Sequence, residues 1–309
     1  MKLIHVLCAM LLLANSAWAG TPDMVVDGVK MPVWVERGKV RFPAAPGTAL
    51  NNGDEVITGA GARVLLKTAD GALIKLGENA RMTISGLGQN QSALFTAALD
   101  VAKGAFRFTA GVLAKLRSRE VTVRVANATI GIRGTDVWGK AGGKMTVAKM
   151  EKAMGKNLQE ADKDKKFDFD VVCLIEGKID VAYNQGEPFV MDQPQSFYVM
   201  PKDASPLPVS SLASEQLDKW AAETEIVAGQ GAARSGGKWK VNLLVAHNKR
   251  EALAAYDELR TAGYAAHILP LPDEQYQLRI TQLPSRAEAE ALALQLTGQM
   301  GIAAPTVSR

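Results

Sequence analysis

One stretch of the chain constrains its fold more than any other, and it runs from Val121 to Lys140 with the sequence VTVRVANATIGIRGTDVWGK. Valine alternates with polar residues up to Val125, which predicts a short strand with one apolar face. A second strand is predicted over 129–132, and it runs into a turn framed by Gly131 and Gly134. Because glycine has no Cβ and adopts positive φ without strain, this turn predicts a tight, close-packed corner in a β-domain.

Short strands and turns also fill the sequence on both sides of this corner. Alternating or clustered apolar residues predict strands over 33–40, 63–68, 72–76, 81–85, 104–108 and 170–183. Turn-forming pairs such as Asn52-Gly53 and Asp70-Gly71 lie between them. Strands at this spacing are typical of a sandwich, a roll or a solenoid, and the spacing alone leaves the three architectures open.

These segments resemble the FecR family of periplasmic signalling domains. The resemblance rests on the segments 53–59, 62–66, 70–76 and 175–181 and on four residues of the corner: Gly131, Arg133, Gly134 and Thr135. It favours a roll or solenoid, and it implies a domain that senses or scaffolds in signalling with a membrane protein partner. We therefore expect an all-β FecR-like domain over 20–200.

A charged segment interrupts the β pattern of this domain. Residues 144–170 are rich in Lys, Met, Glu and Asp, which predicts an insertion near 142–170 that forms an amphipathic helix or a mobile excursion. Carboxylates alternate from Asp162 to Asp170, and this pattern invites a calcium interpretation. The run lacks the turn glycine and terminal Glu of a calcium loop, and Lys166 stands at a ligand position, so we expect no metal.

The N-terminal segment has the features of an export signal. A short positive start precedes an apolar run over 3–14, and Ala17-Trp18-Ala19 has the small-x-small form of a signal-peptidase site. We expect residues 1–19 to be a signal peptide cleaved before Gly20, which places the protein in the periplasm. The apolar run is too short for a permanent membrane span. Export argues against a nucleic-acid partner, and the net charge of +4 does not require one.

Beyond the β-domain, the sequence predicts a connecting region and a small α+β domain. Ser210 and Ser211 are placed to cap a helix over 212–226, and residues 229–237 are rich in Gly, Ala and Ser, so we expect a helix and flexible linker over 201–237. Residues 238–309 follow the order strand, helix, strand, strand, helix, short strand. Two helices on one face of such a sheet form a ferredoxin-like βαββαβ layer. The chain is therefore predicted to be multi-domain.

The C-terminal domain resembles the SPOR family, whose members bind peptidoglycan glycan strands that lack stem peptides. The resemblance rests on five parts of the sequence: Trp239–Leu243, Ala252–Leu259, Gly263, Tyr276–Ile280 and Ala287–Leu296. Asn242 stands where the family usually has Gln, and residues 281–283 replace its Gly-Pro-aromatic turn. These departures leave a second use of the domain open, namely contact with another protein.

Strand alternation locates a candidate binding face in this domain without reference to the family. In the first strand Trp239, Val241, Leu243 and Val245 are predicted to share the face that the helices cover, which leaves the opposite face open. We expect glycan to bind there, because amide and guanidinium donors suit sugar hydroxyl and acetamido groups. The candidate glycan-binding residues are Lys240, Asn242, Tyr276, Gln277 and Arg279.

Catalysis has little support in the sequence. Outside the signal peptide the histidines are His247 and His267, and neither has an obvious Ser or Cys partner. Cys173 lies in an apolar strand and is predicted to be a buried structural thiol without a disulfide partner. We predict no cofactor, no metal and no enzyme activity.

Two functions therefore remain open. The first is an exported, non-catalytic cell-envelope protein whose SPOR-like domain binds peptidoglycan glycan strands and whose FecR-like domain is a sensor or scaffold. The alternative is a periplasmic signalling regulator that contacts a membrane protein partner through the FecR-like domain. Retention on stripped glycan strands distinguishes the two.

Overall fold

The fold is seen in a computed structural model of the chain. It describes residues 22–89, 95–111, 120–125, 128–132, 134–148, 151, 163–184, 186–201, 207–209 and 214–309. The predicted signal peptide at 1–19, Arg133 of the corner, and the predicted capping residues Ser210 and Ser211 lie outside the described residues.

The N-terminal body is built from strands in two layers. In chain order they are β1 (Met24–Lys30), β2 (Val33–Arg37), β3 (Val40–Pro43), β4 (Ala49–Leu50), β5 (Glu55–Thr58), β6 (Arg63–Thr68), β7 (Leu73–Leu76), β8 (Arg81–Gln89), β9 (Phe95–Thr109), β10 (Glu120–Val125), β11 (Ala128–Ile132), β12 (Asp136–Thr146), β13 (Lys166–Glu176), β14 (Ile179–Tyr183), β15 (Phe189–Met191), β16 (Phe197–Pro201) and β17 (Leu207–Val209). The first sheet contains β1, β4, β6, β7, β12, β13, β16 and β17. The second sheet contains β2, β3, β5, β8, β10, β11, β14 and β15.

Strand β9 joins the two sheets because it is long enough to pair in both. Its first half pairs with β8 and β10 of the second sheet, and its second half pairs with β7 and β12 of the first. Gly104 lies at the crossing with a φ of 90°, a conformation that residues with a Cβ rarely adopt. A Cβ at this position would also lie 2.5 Å from the Cβ of Ala80. The crossing of β9 therefore requires glycine.

The hydrophobic core of the body lies between the two sheets. Alternate residues of the strands point inward, so Val33 and Val35 of β2 and Val121 and Val123 of β10 are all buried. Large side chains from both sheets fill the space: Met24, Leu66, Ile74, Met82, Phe106 and Phe108. Burial of one such side chain stabilises the fold by about 1.5–3 kcal/mol.

Two parts of the body differ from the sequence-based expectation. The segment predicted as one strand over 33–40 is a hairpin of β2 and β3 that turns at Gly38, where φ is 59°. The predicted insertion near 142–170 is partly strand, because β12 and β13 stay paired as far as Thr146 and Lys166. Pairing satisfies the backbone of a charged segment as well as that of an apolar one, so β12 and β13 extend into both ends of the predicted insertion.

Helix α1 (Ser214–Ala222) covers the outer face of the first sheet. Trp220 of this helix stacks on Trp138 of β12, with ring centroids 4.8 Å apart and 8° between the ring planes. Its edge meets Phe197 of β16 at a centroid distance of 5.5 Å. Cys173 belongs to the same apolar cluster, which confirms the predicted buried thiol. Burial raises the pKa of that thiol to about 12.

The chain after α1 continues across the first sheet. We call α1 together with this following segment, residues 214–237, the strap. Glu223 pairs with Lys140 of β12 at 2.7 Å. Glu225 pairs with Lys75 of β7 at 2.5 Å and with Arg107 of β9 at 3.1 Å. The strap thus binds three neighbouring strands through charged side chains.

Contacts with both domains hold the glycine-rich end of the strap, residues 229–237, for which the sequence predicts a flexible linker. Residues Ala233–Arg234 form β18, which is antiparallel to β1. The buried carboxylate of Glu288 accepts hydrogen bonds from the backbone N–H groups of Gly229, Gly231 and Ala232 at 2.6–2.8 Å. Gly and Ala expose their backbone donors, so a distant carboxylate fixes a segment whose composition is typical of a flexible chain.

The C-terminal domain is a four-stranded antiparallel sheet with two helices. Its elements are β19 (Trp239–Ala246), α2 (Lys249–Thr261), β20 (Ala266–Pro270), β21 (Tyr276–Leu283), α3 (Arg286–Leu296) and β22 (Thr306–Ser308). The strand order is β20, β21, β19, β22. Ser285 caps α3 as predicted, because its side chain accepts the N–H of Glu288.

The two domains pack directly against each other. Trp34 of β2 donates its Nε1–H to the carbonyl of Thr261, at the end of α2, at 3.1 Å. A Cβ on Gly263 would lie 2.6 Å from the Trp34 ring, so the glycine allows the indole to approach the backbone. The N–H of Val33 donates to the Gly263 carbonyl at 3.3 Å. Buried residues of both domains belong to one hydrophobic cluster, which holds the C-terminal domain on the body.

Candidate functional site

The helices of the C-terminal domain cover one face of its sheet. The residues on that face are buried in one cluster with residues of α2 and α3: Val241, Leu243, Leu278, Ile280, Leu259 and Leu292. Their strand neighbours point to the opposite face. Four of the five predicted glycan-binding residues lie there and are partly exposed: Lys240, Asn242, Gln277 and Arg279. We call this the open face.

Strand pairing aligns side chains of the open face into a row across the sheet. Arg279 of β21 lies opposite His267 of β20 on one side and opposite Asn242 of β19 on the other. Asn242 in turn lies opposite Thr306 of β22. Adjacent strands are about 4.8 Å apart, so an imidazole, a guanidinium, an amide and a hydroxyl follow one another at that spacing.

Hydrogen bonds and charge set the chemistry of this row. The Nδ2 of Asn242 donates to Ser308 Oγ at 3.3 Å and to Thr306 Oγ1 at 3.4 Å, which orients the amide. The Nε of Arg279 is buried and has no hydrogen-bond partner among the described residues. Partial burial, and then the charge of Arg279, lower the pKa of His267. The imidazole is therefore neutral at pH 7 and both donates and accepts hydrogen bonds.

A bulge in β19 changes one predicted position. The register between β19 and β21 shifts between Asn242 and Leu244, which inverts the alternation in the rest of the strand. Val245 was predicted on the helix-covered face. It lies instead opposite Gln277 and is 41% exposed. The open face therefore has an apolar side chain beside its polar row.

Tyr276 lies apart from the other four candidate residues. It is opposite Ala246, which is buried on the helix-covered face, and it packs against the hydrophobic cluster. Tyr276, Leu278 and Ile280 share one face because they alternate along β21. Tyr276 therefore lies on the helix-covered side of β21, and its part in glycan binding stays a prediction.

The β body borders one end of the open face. His267 and Thr281 of the C-terminal domain line a small cleft together with Met31 and Pro46 of the body. A ligand that extends along the face beyond Thr281 therefore meets the body.

The corner at 131–135 is a packing element of the body. Gly134 has the predicted positive φ, at 69°. Gly131 instead pairs inside β11 without a positive φ. Thr135 is buried, and a Cβ on Gly177 would lie 2.5 Å from its Cγ2. The corner is thus close-packed, and Arg133 lies outside the described residues.

The residue after the corner binds an arginine under the strap. Asp136 accepts two hydrogen bonds from Arg107, from Nε at 2.9 Å and from Nη2 at 2.7 Å. The hydrogen bonds to Asp136 are the main cause of a raised pKa of Arg107. Arg107 also reaches Glu225 of the strap. Arg107 lies 29 residues before Asp136 in the chain, so no local sequence pattern predicts this pair.

Sequence reasoning also missed two members of the open-face row, His267 and Thr306, and the neighbouring Ser308. His267 was noted only as an unpartnered histidine, Thr306 was assigned only to a short final strand, and Ser308 was not singled out. The missing signal is the register of β20 and β22 on their neighbours, which places these residues beside Arg279 and Asn242.

The described residues contain no group of three or more His, Cys, Asp or Glu side chains arranged to hold a metal. The run of alternating carboxylates, for which we expect no metal, begins at Asp162, outside the described residues. Asp170, at its other end, is buried and accepts the N–H of Gly142 at 2.8 Å. None of the helices described above is long and apolar enough to cross a membrane.

Comparison with known proteins assigns both domains. Residues 54–152 match the family described as FecR protein, and residues 235–309 match the SPOR domain family. Two crystal structures of a candidate anti-sigma factor from Parabacteroides distasonis ATCC 8503 are similar to the chain, at 14% and 15% identity and a TM-score of 0.37 in both cases. The alignments cover 67% and 79% of this chain and 73% and 91% of those chains. No curated protein matches the sequence. The protein contains a FecR domain followed by a SPOR domain, as its motifs indicated.

Proposed function

We propose that this protein is an exported, non-catalytic component of the cell envelope that binds peptidoglycan glycan strands through the open face of its SPOR domain. In this proposal the FecR domain is a sensor or scaffold held at the wall, and the protein resides in the periplasm. The observation that carries the proposal is the row of polar side chains across a sheet face that the helices leave open.

The chemistry of the row suits a stripped glycan strand. Sugar hydroxyl and acetamido groups bind amide, hydroxyl and imidazole groups, which Asn242, Thr306 and His267 supply. Hydrolysis of the stem-peptide amide leaves a carboxylate on the sugar, and Lys240 and Arg279 are cations on the same face. An acceptor on the ligand would also satisfy the buried Nε of Arg279.

The architecture supports this assignment of faces. The strand order β20, β21, β19, β22, with α2 and α3 on one side, supports the proposed ferredoxin-like βαββαβ layer. In the body, two stacked sheets joined by β9 fit a roll rather than an open sheet. In this arrangement the SPOR domain has one covered and one open sheet face.

The FecR match over 54–152 favours a second candidate function, a periplasmic signalling regulator that contacts a membrane protein partner through the FecR domain. In that case the SPOR domain makes protein contacts and does not bind glycan. The two candidates therefore differ in whether the protein binds the wall.

The test is co-sedimentation of the chain without residues 1–19 with purified peptidoglycan, both intact and stripped of stem peptides by amidase. We expect retention on stripped peptidoglycan and weaker retention on intact material. Arg279→Gln should weaken binding about tenfold or more, because a hydrogen bond to a charged group contributes about 1.5–3 kcal/mol.

Arg286→Gln is the matched control for this experiment. Arg286 begins α3, on the covered side of the sheet, is exposed, and pairs only with the nearby Glu290 at 2.7 Å among the described residues. The Arg286→Gln substitution removes the same charge and should leave retention of the protein on peptidoglycan unchanged. Failure of either form of peptidoglycan to retain the wild-type protein would move the regulator to first place. Equal retention of Arg279→Gln and wild type would show that the open face is not the glycan site.

A further inference from the structure

A cleft of about 450 Å³ opens in the FecR domain where β9 leaves the second sheet for the first. It lies outside the open face of the SPOR domain and is independent of the glycan proposal. Five charged residues from different segments line it: Arg63 of β6, Glu78 after β7, Lys103 of β9, Lys140 of β12 and Glu223 of the strap. Its volume lies within the range of about 300–1,000 Å³ that is typical of small-molecule sites.

The fold itself creates this cleft. Gly104 turns β9 from one sheet to the other, and the register of β12 on β13 shifts between Lys140 and Gly143. The strands diverge where both irregularities meet, so the backbone around Gly104 and Ala141 contributes to the lining. The strap then adds a wall through Glu223, which holds Lys140 at 2.7 Å.

The charges of the cleft are only partly compensated. Lys140 and Glu223 neutralise each other. Arg63 donates to the adjacent Ala62 carbonyl, and neither Arg63 nor Lys103 has a carboxylate partner among the described residues. Glu78 uses one carboxylate oxygen to accept the Gly61 N–H at 2.7 Å. Arg63 and Lys103 are therefore two cations without a carboxylate partner there, and the second oxygen of Glu78, whose charge also acts on Lys30, faces a ligand.

We propose that this cleft binds a short zwitterionic peptide, with the peptide carboxylate on Arg63 and Lys103 and its ammonium group on Glu78. A guanidinium binds a carboxylate through two parallel hydrogen bonds, and Lys103 adds a second positive charge. Glu78 on the same cleft disfavours polyanions, because it repels a second negative group. A ligand with one group of each sign matches the free charges of the lining.

Isothermal titration calorimetry of the chain without residues 1–19 tests this proposal with three probes: tri-L-alanine, its C-terminal amide and its N-acetyl derivative. We expect tri-L-alanine to bind and the amide to bind about tenfold or more weakly, since it lacks the carboxylate that forms charge-assisted hydrogen bonds. The N-acetyl derivative should also bind more weakly, and Glu78→Gln should abolish the difference between the free and acetylated amines.

Arg63→Gln and Lys103→Gln should each weaken binding of tri-L-alanine by about tenfold. Lys67→Gln is the matched control, because Lys67 is exposed on the same strand, β6, but does not line the cleft. The affected side chains are not buried, so thermal unfolding should be unchanged.

Absence of tri-L-alanine binding by the wild-type protein would overturn the proposal, as would binding by Arg63→Gln and Lys103→Gln that is as tight as that of the wild type. Displacement of the peptide by equimolar inorganic phosphate would show a simple anion site instead. None of these results bears on peptidoglycan co-sedimentation, so the two proposals fail separately.

Discussion

At the scale of single residues, glycine sets where the chain crosses between the sheets of the body. Gly104 combines a φ of 90° with a Cβ position 2.5 Å from Ala80. Gly104→Ala should lower the free energy of unfolding by about 2–5 kcal/mol, the sum of about 1–2 for the left-handed backbone and about 1–3 for overpacking. Urea denaturation monitored by tryptophan fluorescence measures this change in the free energy of unfolding.

Gly38→Ala separates the two contributions. Gly38 also has a positive φ, at 59°, but a Cβ there meets nothing within 4 Å. The Gly38→Ala substitution should lower the free energy of unfolding by about 1 kcal/mol, from backbone strain alone. Equal losses for the two variants would mean that the contact with Ala80 contributes nothing.

At the scale of elements, α1 protects the outer face of the first sheet. Trp220 covers the cluster that contains Trp138 and Cys173. Trp220→Ala removes the stacked ring, and such changes lower stability by about 3–5 kcal/mol in a core. A loss of about 3 kcal/mol makes the state in which the thiol is exposed more than about 100-fold more populated, because each 1.36 kcal/mol corresponds to a factor of ten. The Cys173 thiol should therefore react with a disulfide reagent at pH 8 at least about 100-fold faster than in the wild type.

Lys219→Ala is the control for the helix. Lys219 precedes Trp220 but is exposed, so its loss should leave the thiol as slow to react as in the wild type. The wild-type rate itself should be very low at pH 8, because burial raises the thiol pKa to about 12 and leaves little thiolate. An unchanged rate in Trp220→Ala would show that α1 does not shield Cys173.

At the scale of the whole molecule, Trp34 couples the SPOR domain to the body. Arg41 lies over its ring with a centroid distance of 4.4 Å, and Gly263 lies against it. Trp34→Ala should weaken the domain contact by about 1–3 kcal/mol, because the indole is only partly buried. We expect calorimetry to resolve two thermal transitions in this variant and one in the wild type.

Trp34→Phe keeps an aromatic ring against Gly263 but removes the Nε1–H that donates to Thr261. It should retain one transition and lose only about 1 kcal/mol, the net value of one hydrogen bond. A single transition in Trp34→Ala would contradict the assigned role of this contact.

The sequence alone determined the features that depend on neighbours along the chain. The inward alternation of β2 and β10, the cap at Ser285, the buried Cys173 and both family motifs were predicted correctly. Each follows from side-chain periodicity or from a capping pattern within a few residues, which act before distant segments meet. The roll or solenoid and the glycan role of the open face stay predictions.

Only the tertiary structure decided how distant segments meet. The crossing of β9, the bulge that exposes Val245, the ordered strap and the cleft at Arg63 all depend on partners far away in sequence. Glu288 fixes glycines 57 and 59 residues before it, and Trp34 bonds a carbonyl 227 residues after it. The composition of a segment determines how flexible it is in the unfolded chain. Tertiary packing determines which of its backbone N–H groups find an acceptor in the folded chain.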